Sequence, residues 1–272
     1  MSSDETDRAT EAYGSRADVY STERGEGPAV VFAHGTLMDR TMFDPQLDAF
    51  GDEYRCLAYD LRARTDQYDT EYDLYDLADD AVALMDAKGI ESCVFVGMSM
   101  GGFTALRLAD RYPERVDGLV LVDSDAVTHD ESDREQYGQM VEATREHGRP
   151  SQNLVSIVEH ILFGATTNET DPELVKRWSD RWRSYPGEAV YREVHSWLDR
   201  PDFTDACADI DVPVLAIHGE EDTSIEMEKA EATVAALPNA RLEPIPEAGH
   251  SSNLENPEAA NAAIREFLTD VY

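Results

Sequence analysis

Residues 94–102 read Val94-Phe95-Val96-Gly97-Met98-Ser99-Met100-Gly101-Gly102. An apolar run of the kind found in buried strands ends at a serine, with one glycine two residues before it and another two residues after. A helical pattern follows from Phe103 to Tyr112. Gly-x-Ser-x-Gly between a strand and a helix is the sequence form of a sharp turn, the nucleophile elbow, which lifts a serine hydroxyl clear of the sheet edge. The turn strains the serine backbone, and side chains at 97 and 101 would collide with the neighbouring strand or helix. Alone, the pattern also fits an ordinary tight turn, so its meaning depends on the flanking segments.

Those segments alternate. Residues 29–33, 55–59 and 116–122 are short apolar runs, ending at His34-Gly35-Thr36-Leu37, Asp60-Leu61-Arg62 and Asp123-Ser124-Asp125. Between the second and third, Leu74, Leu77, Ala78, Ala81, Leu84 and Met85 recur at helical spacing up to Gly89. Strand–helix alternation predicts an α/β fold with a mainly parallel, doubly wound sheet. It breaks between 126 and 201, where residues 153–163, 172–185 and 187–198 are helix candidates and no strand is evident. It resumes with a strand over 212–218, a helix over 226–237 and a strand near 241–245. A closing helix starts at Pro257 behind Asn256, a suitable N-cap. Residues 15–21 are expected to form an edge strand. The expected organisation is a flexible acidic tail over 1–12, a core over 13–125 and 202–272, and a helical cap insertion over 126–201.

A serine hydroxyl needs a base, and the base needs an orienting acid. In this fold class they follow in the order Ser, acid, His, on loops beyond strand ends. Gly219-Glu220-Glu221-Asp222-Thr223 follows one late strand and Glu247-Ala248-Gly249-His250-Ser251 the next. Asp222 is therefore the expected acid and His250 the expected base. Glu220 and Glu221 are adjacent competitors, and Asp123, at another strand end, is a rival acid. The oxyanion hole is expected from the backbone N–H of Met100, after the serine, and of Thr36, in the His-Gly loop. His34 and His218 read as structural, His195 as a cap residue able to touch substrate, and His129, His147 and His160 as surface residues. Trp178, Trp182, Trp197, Tyr185 and Tyr191 are candidate pocket walls, with Trp178 and Trp182 at i, i+4 fitting simple packing better. Met98 and Phe103 fit either pocket or core.

As a set, His34-Gly35, Gly97-Met98-Ser99-Met100-Gly101-Gly102, Asp222 and Gly249-His250 resemble the α/β-hydrolase superfamily. The Gly-x-Ser-Met-Gly-Gly form is similar to small capped members: 3-oxoadipate enol-lactonases, haloperoxidase-like esterases and carbon–carbon bond hydrolases. The resemblance implies a cofactor-free, metal-free serine hydrolase acting on a small ester, lactone or thioester. A carbon–carbon bond hydrolase or perhydrolase with the same triad is the alternative among enzymes, and a ligand-binding or signalling protein the alternative outside them. Asp60-Leu61-Arg62-Ala63-Arg64-Thr65 departs from the Asp-x-Arg-Gly-x-Gly of many relatives by lacking both glycines.

The chain has 272 residues, 57 Asp plus Glu against 23 Lys plus Arg, and a formal net charge of -34. Phosphates would be repelled, which excludes nucleic acid as a partner, and no apolar run approaches a membrane span. The three cysteines lack metal-site or disulfide spacing. The acidic, polar start lacks a secretory pattern, so a cytoplasmic location is expected, with a small-molecule substrate as the partner. A surface this acidic, with arginine replacing nearly all lysine, resembles that of proteins from salt-loving microbes. Self-repulsion of that charge destabilises the compact state in dilute buffer, and molar salt, with a Debye length of about 3 Å, removes most of it. The melting temperature is therefore expected to rise from dilute buffer to molar KCl; equal melts would contradict this.

Overall fold

The computed structural model describes residues 10–272. The first nine residues of the expected tail lie outside the described residues, and residues 10–14 are helical. A seven-stranded sheet organises the rest, in the order β1-β3-β2-β4-β5-β6-β7. Its strands are β1 (Ser21–Arg24), β2 (Ala29–Ala33), β3 (Arg55–Tyr59), β4 (Cys93–Met98), β5 (Val116–Val122), β6 (Val214–Gly219) and β7 (Ala240–Ile245). Only β1 runs antiparallel, pairing Ser21 with Tyr59 at the edge. Strand β4 is buried throughout and sits between β2 and β5, with Gly97 paired to Ala33 and Leu121. Burial on both faces explains why these strands read as continuous apolar runs rather than alternating ones.

Flanking helices cover the sheet: α1 (Asp44–Phe50), α2 (Leu74–Ala87), α3 (Met100–Arg111), then α9 (Met227–Ala236) and α10 (Pro257–Val271) after the insertion. Helix α2 packs on α3, and α1 on α10. The start of α2 is fixed by a reciprocal capping box between Asp73 and Asp76. Between β5 and β6 lie α4 (Glu131–His147), α5 (Gln152–Leu162), α6 (Ala165–Thr170), α7 (Pro172–Trp182) and α8 (Gly187–Leu198). Among the described residues no helix is long and apolar enough to cross a membrane.

Two expectations need correction. Residues 15–21 are not a strand: Ala17–Tyr20 is a helical turn and β1 begins at Ser21. The reason is visible in spacing, since Tyr13, Ala17 and Tyr20 are buried at i, i+4 and i+7, one helical face. Helix α4 was absent from the expected helices. It buries only Val141 and Thr144, so it carries almost no apolar period. End chemistry marks it instead: the Asp130 side chain accepts the Asp133 N–H, and Gly148 closes it at φ 78.

Three arginine–carboxylate pairs join the 126–201 segment to the rest. Arg200 donates to Asp125 at 2.9 Å, Arg181 to Asp39 at 2.9 Å, and Arg64 to both oxygens of Glu193 at 3.0 and 2.8 Å. The last pair is almost wholly buried. Removing one partner of such a pair strands a charge, costing about 3–5 kcal/mol, whereas a well-packed apolar replacement of both is often neutral. Glu193→Ala should therefore lower unfolding stability by about that amount, and Arg64→Met with Glu193→Leu should recover only part of it, because the Leu37 N–H and the Met38 carbonyl lose their partners as well. Denaturant titration of both variants checks this.

Candidate active site

Ser99 follows β4 and begins α3 with φ 48 and ψ -113, a left-handed value that a non-glycine residue adopts only under constraint. The constraint is crowding. A Cβ at Gly97 would lie 2.1 Å from the carbonyl oxygen of Gly101, and one at Gly101 would lie 2.1 Å from that of Ala33. The turn is tied by Ser99 N–H to Val122 O at 2.9 Å and by Ser124 Oγ donating to Ser99 O at 3.0 Å.

Around Ser99 the loops from three other strand ends converge. His250 Nε2 lies 3.0 Å from Ser99 Oγ, and His250 Nδ1 lies 2.7 Å from Asp222 Oδ2. Asp222 Oδ1 accepts the N–H groups of Ser224 and Ile225 at 2.7 and 3.0 Å, which fixes its carboxylate plane. Burial works to lower the His250 pKa, but the Asp222 carboxylate, with smaller contributions from Asp123 and Glu255, holds it above the ordinary 6.5. The His-Gly loop closes over the serine: a Cβ on Gly35 would fall 3.1 Å from Ser99 Cβ. Thr36 and Ser99 line one pocket together. No protein acceptor takes the Thr36 or Met100 N–H among the described residues.

The rival acid has a different task. Asp123 accepts the N–H of Gly219 and of Ser252, both at 2.8 Å, so it staples the ends of the acid and base loops rather than touching His250. Burial pushes it up to about 6. Glu221 instead accepts the N–H and hydroxyl of Thr166 in α6. His218 donates from Nε2 to Ile225 O at 2.8 Å and lies 3.3 Å from Asp222. Asp123, His218 and Asp222 crowd together, but the carboxylate oxygens are taken by N–H donors. His34 accepts the Leu61 N–H at 2.9 Å and donates to Gly35 O, the structural role expected of it.

Other residues differ from their reading. His129 is buried, with its ring 5.3 Å from Trp197 and 5.6 Å from Tyr137, and lines the pocket. His195 is exposed, its ring tilted against that of Tyr191 at 4.2 Å, and does not line it. His147 and His160 are exposed, as expected. Trp178 and Trp182 are packing residues, Trp197 and Phe103 are pocket walls, and Met98 is core. Sequence reasoning missed three carboxylate contacts. Glu193 of α8 accepts the N–H of Leu37, itself at φ 64, at 3.1 Å, directly beside Thr36. Arg64, which pairs with Glu193, also donates to Met38 O at 2.8 Å and stacks 3.9 Å from the Tyr185 ring. Thus the segment lacking both glycines carries a cation that braces the His-Gly loop. Glu255 Oε1 accepts the N–H groups of Gly249 and Ser251, the residues flanking His250, at 3.0 Å each.

The pocket, a cavity of about 90 Å³ open to solvent, lies between the Ser99 loops and helices α4, α5 and α8. A family model described as alpha/beta hydrolase fold matches residues 28–257. The 3-oxoadipate enol-lactonase 2 of Acinetobacter baylyi is 27% identical, covering 90% of each chain, and the non-heme haloperoxidase of Rhodococcus erythropolis is 27% identical, covering 92% of this chain and 96% of its own. Among solved structures, a thermophilic esterase from Thermogutta terrifontis superposes with a TM-score of 0.87 at 30% identity, covering 92% of this chain and 93% of that one. The enol-lactonase from Burkholderia xenovorans gives 0.84 at 25%, covering 92% and 96%.

Proposed function

The chain belongs to the α/β-hydrolase fold family, and we propose that within it the protein is a serine hydrolase of small esters, lactones or thioesters, with Ser99, His250 and Asp222 as its triad. The observation that carries this reading is the unbroken relay from Ser99 Oγ through His250 to Asp222, at 3.0 and 2.7 Å. Relatives named as an enol-lactonase and an esterase support the reaction class.

In the proposed reaction, His250 Nε2 takes the Ser99 proton as Oγ attacks the carbonyl carbon. Asp222 holds the proton on Nδ1 and stabilises the imidazolium that forms. The N–H groups of Thr36 and Met100 receive the oxyanion, aided by the N-terminal dipole of α3. His250 returns its proton to the leaving group, takes one from water as the water oxygen attacks the acyl carbon, and gives that proton to Ser99 Oγ as the acyl–Oγ bond breaks. The 126–201 segment acts as a cap, and the buried free thiols Cys56, Cys93 and Cys207 fit a reducing, cytoplasmic setting. Carbon–carbon bond hydrolysis or perhydrolysis would use the same relay, and a substrate panel separates them. A receptor on this fold would capture ligand without turnover.

A fluorophosphonate probe should label the wild type and not Ser99→Ala; equal labelling removes Ser99 from this role. Catalysis needs His250 neutral, and its pKa is raised, so kcat/KM should fall as pH drops through a midpoint above 6.5. Asp222→Asn removes the group that raises it, which should move that midpoint down and lower kcat about 10⁴-fold. A rate independent of pH down to 4 would remove His250 as the base.

A further inference from the structure

We infer that the acyl group accepted by Ser99 is uncharged and apolar, and that esters or lactones bearing a carboxylate are rejected. This rests on the serine-hydrolase reading above and specifies its substrate class.

The walls of the pocket are mostly apolar. Val141 of α4, Val158 and Leu162 of α5, Val194 and Trp197 of α8 and Ile225 after β6 line it. No Lys, Arg, Asp or Glu lines it among the described residues. Its polar members either belong to the reaction or are uncharged. Thr36, Ser99 and His250 are the former, while Ser224 and Tyr137, whose ring packs against His129 and Trp197, are among the latter. The His129 ring is neutral at ordinary pH, because burial and the neighbouring Arg200 push it down to about 3.

Both nearby guanidinium groups are already paired with carboxylates, although the buried Nε of Arg200 has no partner. Arg200 stacks 3.9 Å from the Phe103 ring and donates to Asp125 Oδ1 at 2.9 Å and Val127 O at 2.8 Å. Arg64 is bidentate on Glu193. A carboxylate entering this space would lose its water and meet no counter-charge, the costliest form of burial. It would also approach Asp222, buried behind His250.

The test compares 4-nitrophenyl hexanoate with mono(4-nitrophenyl) adipate, an acyl chain of equal carbon count ending in a carboxylate. Assays run in molar KCl, where the repulsion from the acidic exterior is screened. The hexanoate should have a kcat/KM about 100-fold higher or more, the scale expected for an unpaired buried charge; values within about threefold overturn the inference. The uncharged methyl adipate ester should lie within about tenfold of the hexanoate, and one as poor as the free adipate ester overturns charge as the cause. Val158→Phe, outside the reacting groups, should lower the hexanoate-to-acetate ratio about tenfold; an unchanged ratio overturns placement of the acyl chain against the cap. No turnover of any ester, with no fluorophosphonate labelling, overturns the serine-hydrolase reading itself.

Discussion

The conformation of Ser99 is the constraint on which the rest depends. Its φ of 48 costs free energy, of order 1–3 kcal/mol for such a residue. The conformation persists because Gly97, Gly101 and Ala33 bring three backbones into contact at one point. That contact requires β2 beside β4 and α3 leaving at a sharp angle, which fixes the centre of the sheet. It also leaves the Met100 N–H, at the start of α3, without a helical acceptor beside the Ser99 hydroxyl, where the proposed reaction would develop an oxyanion on the substrate carbonyl. Strain, glycine spacing and electrophilic character are therefore one local fact.

Around that point the protein uses buried carboxylates as backbone acceptors. Asp123 joins Gly219 to Ser252, Glu255 holds both neighbours of His250, and Glu193 holds Leu37. Each ties down a loop that carries a proposed reacting group. A carboxylate suits this because its two oxygens can each accept donors from separate segments. Glu193 shows the added consequence of placing such a group on α8. The loop that carries Thr36 is braced by the same segment that walls the pocket, so helix position and the placement of the Thr36 N–H are mechanically linked.

The sheet was legible because buried parallel strands have a strong signal: five apolar runs ending in polar loops. Ser99, His250 and Asp222 could be proposed together because each follows a strand end and their chain order selects among many acids; the structure brings the three within hydrogen-bonding distance. Asp123 was a fair rival on those grounds, since it too ends a strand; only three-dimensional contacts show its oxygens spent on Gly219 and Ser252. Helix α4 and buried His129 were illegible for a different reason. Their environment comes from packing between helices, and a polar 17-residue helix with two buried side chains gives no period to read. Glu193 and Arg64 lie 129 residues apart. No local pattern can pair them, although Ala63 and Thr65, which flank Arg64 where relatives have glycine, marked the place.

A net charge of -34 and a charge-dependent site coexist because salt acts on them unequally. Exposed carboxylates are screened over about 3 Å at molar ionic strength, whereas buried pairs are screened much less. Asp222 and His250 are buried, as are Arg64 and Glu193. Salt can therefore relax the exterior while leaving the relay and its braces at full strength. The apolar pocket is no exception, because burial of apolar surface does not depend on screening. Such a protein can change its acidic shell extensively without retuning its chemistry, provided the carboxylates that accept backbone N–H groups are left in place.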